Sequence, residues 1–213
     1  MAIKRSEDKK KFRGIPIVIS APSGAGKSTI ATRIVKESQD EVLSISCTTR
    51  PPRSGEKEGV DYFFMTVDQF KQKIEKGEFL EWAVVHGNYY GTPVDFLEKQ
   101  LEANKNIILT IDPQGAMAVK RIYPQGVYVF VVPPSWEVLK SRLRKRGTDS
   151  EEILQARIAN AQKELSYVSH YEYLIINDDL ETAIQNVRAI IRSEKCRLSR
   201  QNRSDIPIFV TAY

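Results

Sequence analysis

Two cysteines and two histidines are all that 213 residues offer to disulfide or soft-metal chemistry. Cys47 and Cys196 lie far apart, so neither a disulfide framework nor a paired-cysteine zinc motif is encoded, and a reduced, cytoplasmic setting is expected. His86 and His170 show no metal-ligand spacing and receive no catalytic role. Long apolar runs are missing too. The longest, 127–132, stops at Pro133-Pro134, far short of the roughly 20 residues of a membrane span. No apolar stretch follows the basic N-terminus, which argues against a signal peptide and a membrane partner. Acid in excess is also lacking: the net charge is +5. Most of that excess sits in residues 1–13, where Lys4, Arg5, Lys9, Lys10, Lys11 and Arg13 face only Glu7 and Asp8. This segment reads as a disordered basic arm, and 201–213 as a tail. The body between them is nearly neutral, so nucleic acid is not an obligatory partner.

What is present is a 41% hydrophobic composition and a length suited to one α/β domain with small insertions. Short apolar runs at 15–20, 42–46, 106–112, 127–132 and 172–177 are bounded by turn residues and read as buried strands. Helical spacing fills 27–38, 93–104, 114–122, 135–146, 151–169 and 179 to about 202. Strands alternating with helices predict a mainly parallel sheet covered on both faces. The region 47–91 breaks the alternation and reads as an inserted subdomain, with "DYFF" and "EFLEWAVV" as short strands around a helix at 68–76. "RLRKRGTDSEE", 142–152, reads as a mobile flap between two helices.

The stretch "VISAPSGAGKSTI", 18–30, follows a strand and opens a helix, the setting in which successive N–H groups converge on a phosphate. It fits the Walker A pattern, Gly-x4-Gly-Lys-Ser/Thr, except that Ala21 opens it. Glycine is indispensable only at positive φ or where a Cβ would collide, and Gly24 and Gly26 remain for those needs. Ala21 is therefore expected at negative φ. Residues Ala21, Pro22, Ser23, Gly24, Ala25, Gly26, Lys27, Ser28 and Thr29 form the expected nucleotide loop. Lys27 would reach the β- and γ-phosphates and Ser28 would meet Mg²⁺. Downstream, Arg50 and Arg53 flank the stiff Pro51-Pro52 pair, an arrangement suited to a phosphate monoester or to a polar surface turn.

These segments, together with "SCTTRPPRSGEKEGVDYFF", "EFLEWAVVHGNYYGTP", "IDPQGA", "RKRGTDSEE" and "NDD", stand in the order and spacing of the guanylate kinases, and the chain resembles that family from about 15 to 200. The resemblance implies a P-loop nucleoside monophosphate kinase fold. Its core would be 14–46 and 93–200, its GMP-binding insertion about 47–92 and its lid about 142–157. It implies transfer from ATP to GMP, and to dGMP, with Mg²⁺, in purine nucleotide metabolism. Ser46, Arg50, Arg53, Tyr62 and Tyr90 match the family's residues around the acceptor phosphate; Glu81, Thr92 and Asp112 match those around guanine. Arg142, Arg146 and Arg157 match lid arginines that join Lys27 in catalysis, and Asn177 matches a position at the adenine end of the ATP site.

Guanine chemistry agrees: its N1–H and N2 amine donate to a carboxylate such as Glu81, whereas adenine's N1 lone pair is repelled. One departure lies in "LTIDPQGA". The family usually carries acids two apart here, and Thr110 precedes Asp112, which leaves that position without a carboxylate for a metal. Activity is expected to survive, because Thr110 keeps a hydrogen-bonding oxygen. Two alternatives are a P-loop kinase for another phosphorylated acceptor and a non-catalytic guanylate-kinase-like interaction module. Intact Glu81 and Tyr90 oppose the first, and intact Lys27, Ser28 and arginines oppose the second. A monomer and a homodimer are both compatible with the sequence.

Overall fold

The computed structural model describes residues 14–85, 87–145 and 151–201. In chain order these contain β1 (Pro16–Ser20), α1 (Lys27–Lys36), β2 (Glu41–Leu43), β3 (Ser46–Thr48), β4 (Tyr62–Phe64), α2 (Val67–Glu75), β5 (Phe79–Val85) and β6 (Asn88–Pro93). There follow α3 (Val94–Glu102), β7 (Asn106–Leu109), α4 (Pro113–Ile122), β8 (Val127–Val132), α5 (Trp136–Lys145), α6 (Glu151–Leu165), β9 (Tyr173–Ile176) and α7 (Leu180–Lys195).

The five strands of the main sheet run β2-β7-β1-β8-β9, with every pairing parallel. Alternate residues of β1 face opposite ways, so Ile17 and Ile19 join one core and Val18 the other. On the first face α1 and α7 contribute Ile30, Ile34, Ile184 and Val187. On the second, α3 and α4 contribute Leu97, Leu101, Ala116 and Val119. A strand buried on both faces reads as a continuous apolar run, which is why "IPIVIS" is legible.

Beside this sheet stands a smaller one, β4-β3-β6-β5, with β3–β4 parallel and the other pairings antiparallel. It spans Ser46 to Pro93 and carries its own core of Cys47, Phe70 and Phe79, the two rings stacked at 4.3 Å. Its helix α2 starts at a capping box in which Thr66 and Gln69 satisfy each other's backbone donors.

The structure departs from the sequence reading at several boundaries. The run expected as one strand over 42–46 is two: β2 pairs with β7, Ser44 N donates to Ile108 O at 2.8 Å, and from Ser46 the chain pairs in the second sheet. Apolar alternation is the same in both sheets, so the crossing leaves no mark. "NYYGTP", read only as a motif, is β6 and bridges β3 and β5. The strand expected to reach 112 stops at Leu109, because Asp112 caps α4: its Oδ1 accepts from Gly115 N at 2.8 Å and Pro113 follows. The helix at 151–169 stops at Leu165 before a 3-10 turn, Val168–His170. The last helix ends at Lys195, and a 3-10 turn over Leu198–Arg200 brings Arg197 and Arg200 back onto the buried Glu194 carboxylate. No helix among the described residues is long and apolar enough to cross a membrane. The expected arm at 1–13 and most of the tail fall outside the described residues, as does 146–150 of the expected flap.

Candidate active site

The phosphate loop joins β1 to α1 at the carboxyl edge of the parallel sheet, where such sheets bind ligands. Ala21 is buried and is not among the residues with positive φ, as expected, whereas Gly24 and Gly26 have φ of 86° and 99°. Gly26 has a second constraint. A Cβ there would lie 2.3 Å from Asn177 Nδ2, so no other residue fits without moving the neighbour. Within the loop Pro22 and Ala25 are buried, while Ser23, Ser28 and Thr29 are exposed at the mouth and on the first turn of α1.

Asn177 follows β9 and is buried. Its side-chain Nδ2 donates to Ala25 O at 2.7 Å, its backbone N donates to Val132 O at 2.7 Å, and its carbonyl accepts from Arg142 Nη2 at 3.0 Å. This side chain therefore holds the loop's backbone and joins it to α5. That geometry makes Asn177 an anchor of the loop, at the position where the resemblance implies the adenine end of the ATP site.

Lys27 Nζ donates to Ile111 O at 3.2 Å, and Ser20 Oγ donates to the same carbonyl at 2.9 Å. Burial lowers the Lys27 pKa, and Asp112, Glu164 and Glu81, in that order, oppose the shift by favouring the ammonium. Three carboxylates from separate parts of the chain thus favour the charged form of one lysine. Glu164, on α6, accepts from Ser23 N at 3.3 Å, and burial raises its pKa. Glu81, on β5, accepts from Thr92 Oγ1 at 2.6 Å; burial raises its pKa and the Thr92 hydrogen bond partly offsets this. Gly115 closes that site, since a Cβ on it would come 3.1 Å from Glu81 Oε2. Asp112, Glu81 and Thr92 accordingly lie together beside the Walker lysine.

The second cluster sits on the smaller sheet. Register pairs Ser46 with Tyr62 and Thr48 with Tyr90. The Tyr62 and Tyr90 rings meet edge-on at 6.0 Å, and the Arg50 guanidinium lies 5.5 Å from the Tyr62 ring centre. Arg50 Nη2 reaches both Glu56 oxygens at 2.8 and 2.9 Å, and Glu56 also accepts from Arg53 N at 2.8 Å. Glu56 was not singled out from the sequence, although an acid three residues past Arg53 is the natural partner for two arginines on one turn. Glu164 was likewise missed; its partner, Ser23 N, lies 141 residues away and leaves no local signal. Arg157 is half-buried on α6, and Arg146 falls outside the described residues.

The sequence model described as "Guanylate kinase" matches residues 13–194. The chain belongs to the guanylate kinase family. It is 51% identical over 190 residues to a guanylate kinase of Caldanaerobacter subterraneus subsp. tengcongensis, covering 89% of this chain and 92% of that one. A guanylate kinase of Clostridium perfringens is 50% identical over 191 residues, with 90% and 88% covered. The crystal structure of the Anaplasma phagocytophilum guanylate kinase superposes with a TM-score of 0.72 at 34% identity, covering 90% and 91% of the two chains. The SH3-kinase fragment of tight junction protein 3 superposes at 0.52 and 19% identity over 87% of this chain and 59% of that one, a likeness of fold alone. The activity that goes with this membership is ATP-dependent phosphorylation of GMP, and the chain is an enzyme.

Proposed function

We propose that the loop Ala21–Thr29 seats the ATP phosphates, that Glu81, Thr92 and Asp112 read guanine, and that Ser46, Arg50, Arg53, Tyr62 and Tyr90 hold the GMP phosphate. The observation that carries this reading is that Lys27 donates to the carbonyl of Ile111, next to Asp112, whose capped Gly115 abuts the Glu81 carboxylate, so the phosphate loop adjoins the residues assigned to the base. In-line transfer needs just that alignment plus donors for spread negative charge, with no covalent intermediate. Lys27 and the loop N–H groups stabilise the phosphates. Arg142, tied to the loop through Asn177, together with Arg146 and Arg157, supplies positive charge from the lid side.

Mg²⁺ typically takes one or two protein oxygens and completes its shell with phosphates and water. The exposed hydroxyl of Ser28, on the first turn of α1 beside Lys27, suits that donor set, whereas no group of three His, Cys, Asp or Glu side chains able to hold a metal is found among the described residues. Ser28 would hold the ion, which would there supply partial neutralisation of the phosphates' negative charge. The reaction is placed in the cytoplasm, in GMP recycling. dGMP is a second acceptor, because the assigned contacts lie at the base and phosphate.

ADP formation from ATP with GMP, dGMP, AMP, UMP and CMP in turn tests the acceptor. Glu81→Ala should raise KM for GMP by at least about 50-fold with smaller loss of kcat, since a polar site left unpaired discriminates strongly. GMP use should also weaken on acidification, beginning above the ordinary carboxylate range, because the raised Glu81 pKa brings protonation, and loss of its acceptor role, at higher pH. Unchanged GMP kinetics in the variant would remove Glu81 from the base site.

A further inference from the structure

Glu164 has no part in the assignments above, yet its carboxylate occupies the mouth of the phosphate loop. Its Oε2 accepts from Ser23 N at 3.3 Å, and it shares the neighbourhood of Lys27 with Asp112. Ser23 is exposed and follows the buried Pro22, and its N–H is directed at the Glu164 carboxylate. A carboxylate on a loop N–H, facing the Walker lysine, stands where a terminal phosphate would stand and carries the same sign of charge. The supporting helix makes the placement specific. On α6, Leu154, Ile158 and Ala161 pack against Leu139 and Leu143 of α5, while Glu164 lies seven residues beyond Arg157 and so along the same line of the helix.

We propose that Glu164 is an internal stand-in for the ATP terminal phosphate: it holds Ser23 N–H near Lys27 between turnovers and is displaced when the triphosphate arrives. The inference rests on the reading of the loop as the ATP seat. Two consequences follow. Nucleotide binding breaks an existing charge-assisted hydrogen bond, so Glu164 weakens ATP affinity. Its displacement also frees the end of α6, and with it the helix that carries Arg157, so arrival of the terminal phosphate is coupled to the position of a lid-side arginine. Glu164 is thus a positioning residue, and GMP, which does not draw on the Ser23 N–H, should be indifferent to it.

The experiment measures ATP and GMP binding separately by calorimetry in the full chain, wild type, E164Q and E164A, with melting temperature as the control for folding. E164Q keeps the length and one acceptor oxygen but loses the charge, whereas E164A loses both. ATP Kd is expected to fall about three- to tenfold, with E164A at least as tight as E164Q, while GMP Kd and melting temperature hold. The gain should shrink for AMP, which lacks the terminal phosphates. Unchanged or weaker ATP binding in folded E164Q and E164A overturns the proposal, as does an equal gain for GMP. Wild-type protein that binds no ATP, or K27A that binds it undiminished, would instead remove the loop assignment on which the inference stands.

Discussion

At the scale of single residues, Ala21 and Gly26 show why one glycine of a phosphate-loop pattern is dispensable and another is not. Ala21 is buried without positive φ, so glycine there only adds freedom to the unfolded chain. Ala21→Gly should leave kcat/KM within about twofold and lower unfolding stability by about 0.5–1 kcal/mol in urea titration. Gly26 combines φ 99° with a neighbour 2.3 Å from any Cβ. Gly26→Ala should therefore displace the Asn177 amide from Ala25 O and cut kcat/KM for ATP by at least about 100-fold, a loss comparable to about 2.7 kcal/mol of transition-state stabilisation. Pattern alone makes both positions look alike. The difference lies in backbone dihedrals and in a residue 151 positions downstream of Gly26, neither of which a local motif contains.

At the scale of elements, helix ends were the least legible features, because they are decided by single polar contacts. The expected final helix runs on to about 202, yet α7 ends at Lys195, where Glu194 gathers Arg197, Arg200 and the Tyr173 hydroxyl of β9. These partners, Arg197 first, hold the Glu194 pKa down to about 2. A depressed folded pKa means the ionised form stabilises the fold above the unfolded value of about 4.3, and the contribution disappears as pH falls toward 2. Glu194→Gln should cost about 2 kcal/mol at pH 7, discounted for the exposure of Arg197, and its difference from wild type should narrow below pH 4 in thermal melts. A difference that persists at pH 2.5 would show that packing, not charge, accounts for the loss.

At the scale of the whole molecule, the described residues form two sheets with separate cores, and the proposed division of labour follows that separation. The loop proposed to seat ATP follows β1 of the main sheet, and the Arg50, Tyr62 and Tyr90 cluster proposed to hold the GMP phosphate lies on the smaller one. Phe70 is completely buried in the smaller core, against Phe79 and Tyr89. Phe70→Ala should cost about 3–5 kcal/mol, concentrated in that sheet. Calorimetry should then find GMP binding lost and ATP binding within about threefold of wild type. Parallel loss of both would mean that the two sheets unfold as one cooperative unit.

The sequence by itself determined the strand–helix alternation, β1, β7 and β8 as buried strands, the phosphate loop and the membership that goes with its ordered motifs. These properties are local or periodic, so they survive projection onto one dimension. β9, expected to be buried, has Leu174 and Ile176 exposed at the edge of the sheet. Only the tertiary structure decided that 42–46 divides between two sheets, that Glu56 braces both arginines, that Asn177 anchors the loop and that Glu164 reaches Ser23 N. Each of these depends on which polar atom meets which across the folded chain. Hydrogen bonds of about 3 Å are selected by three-dimensional approach, and nothing in residue order distinguishes a carboxylate that finds a partner from one that faces water.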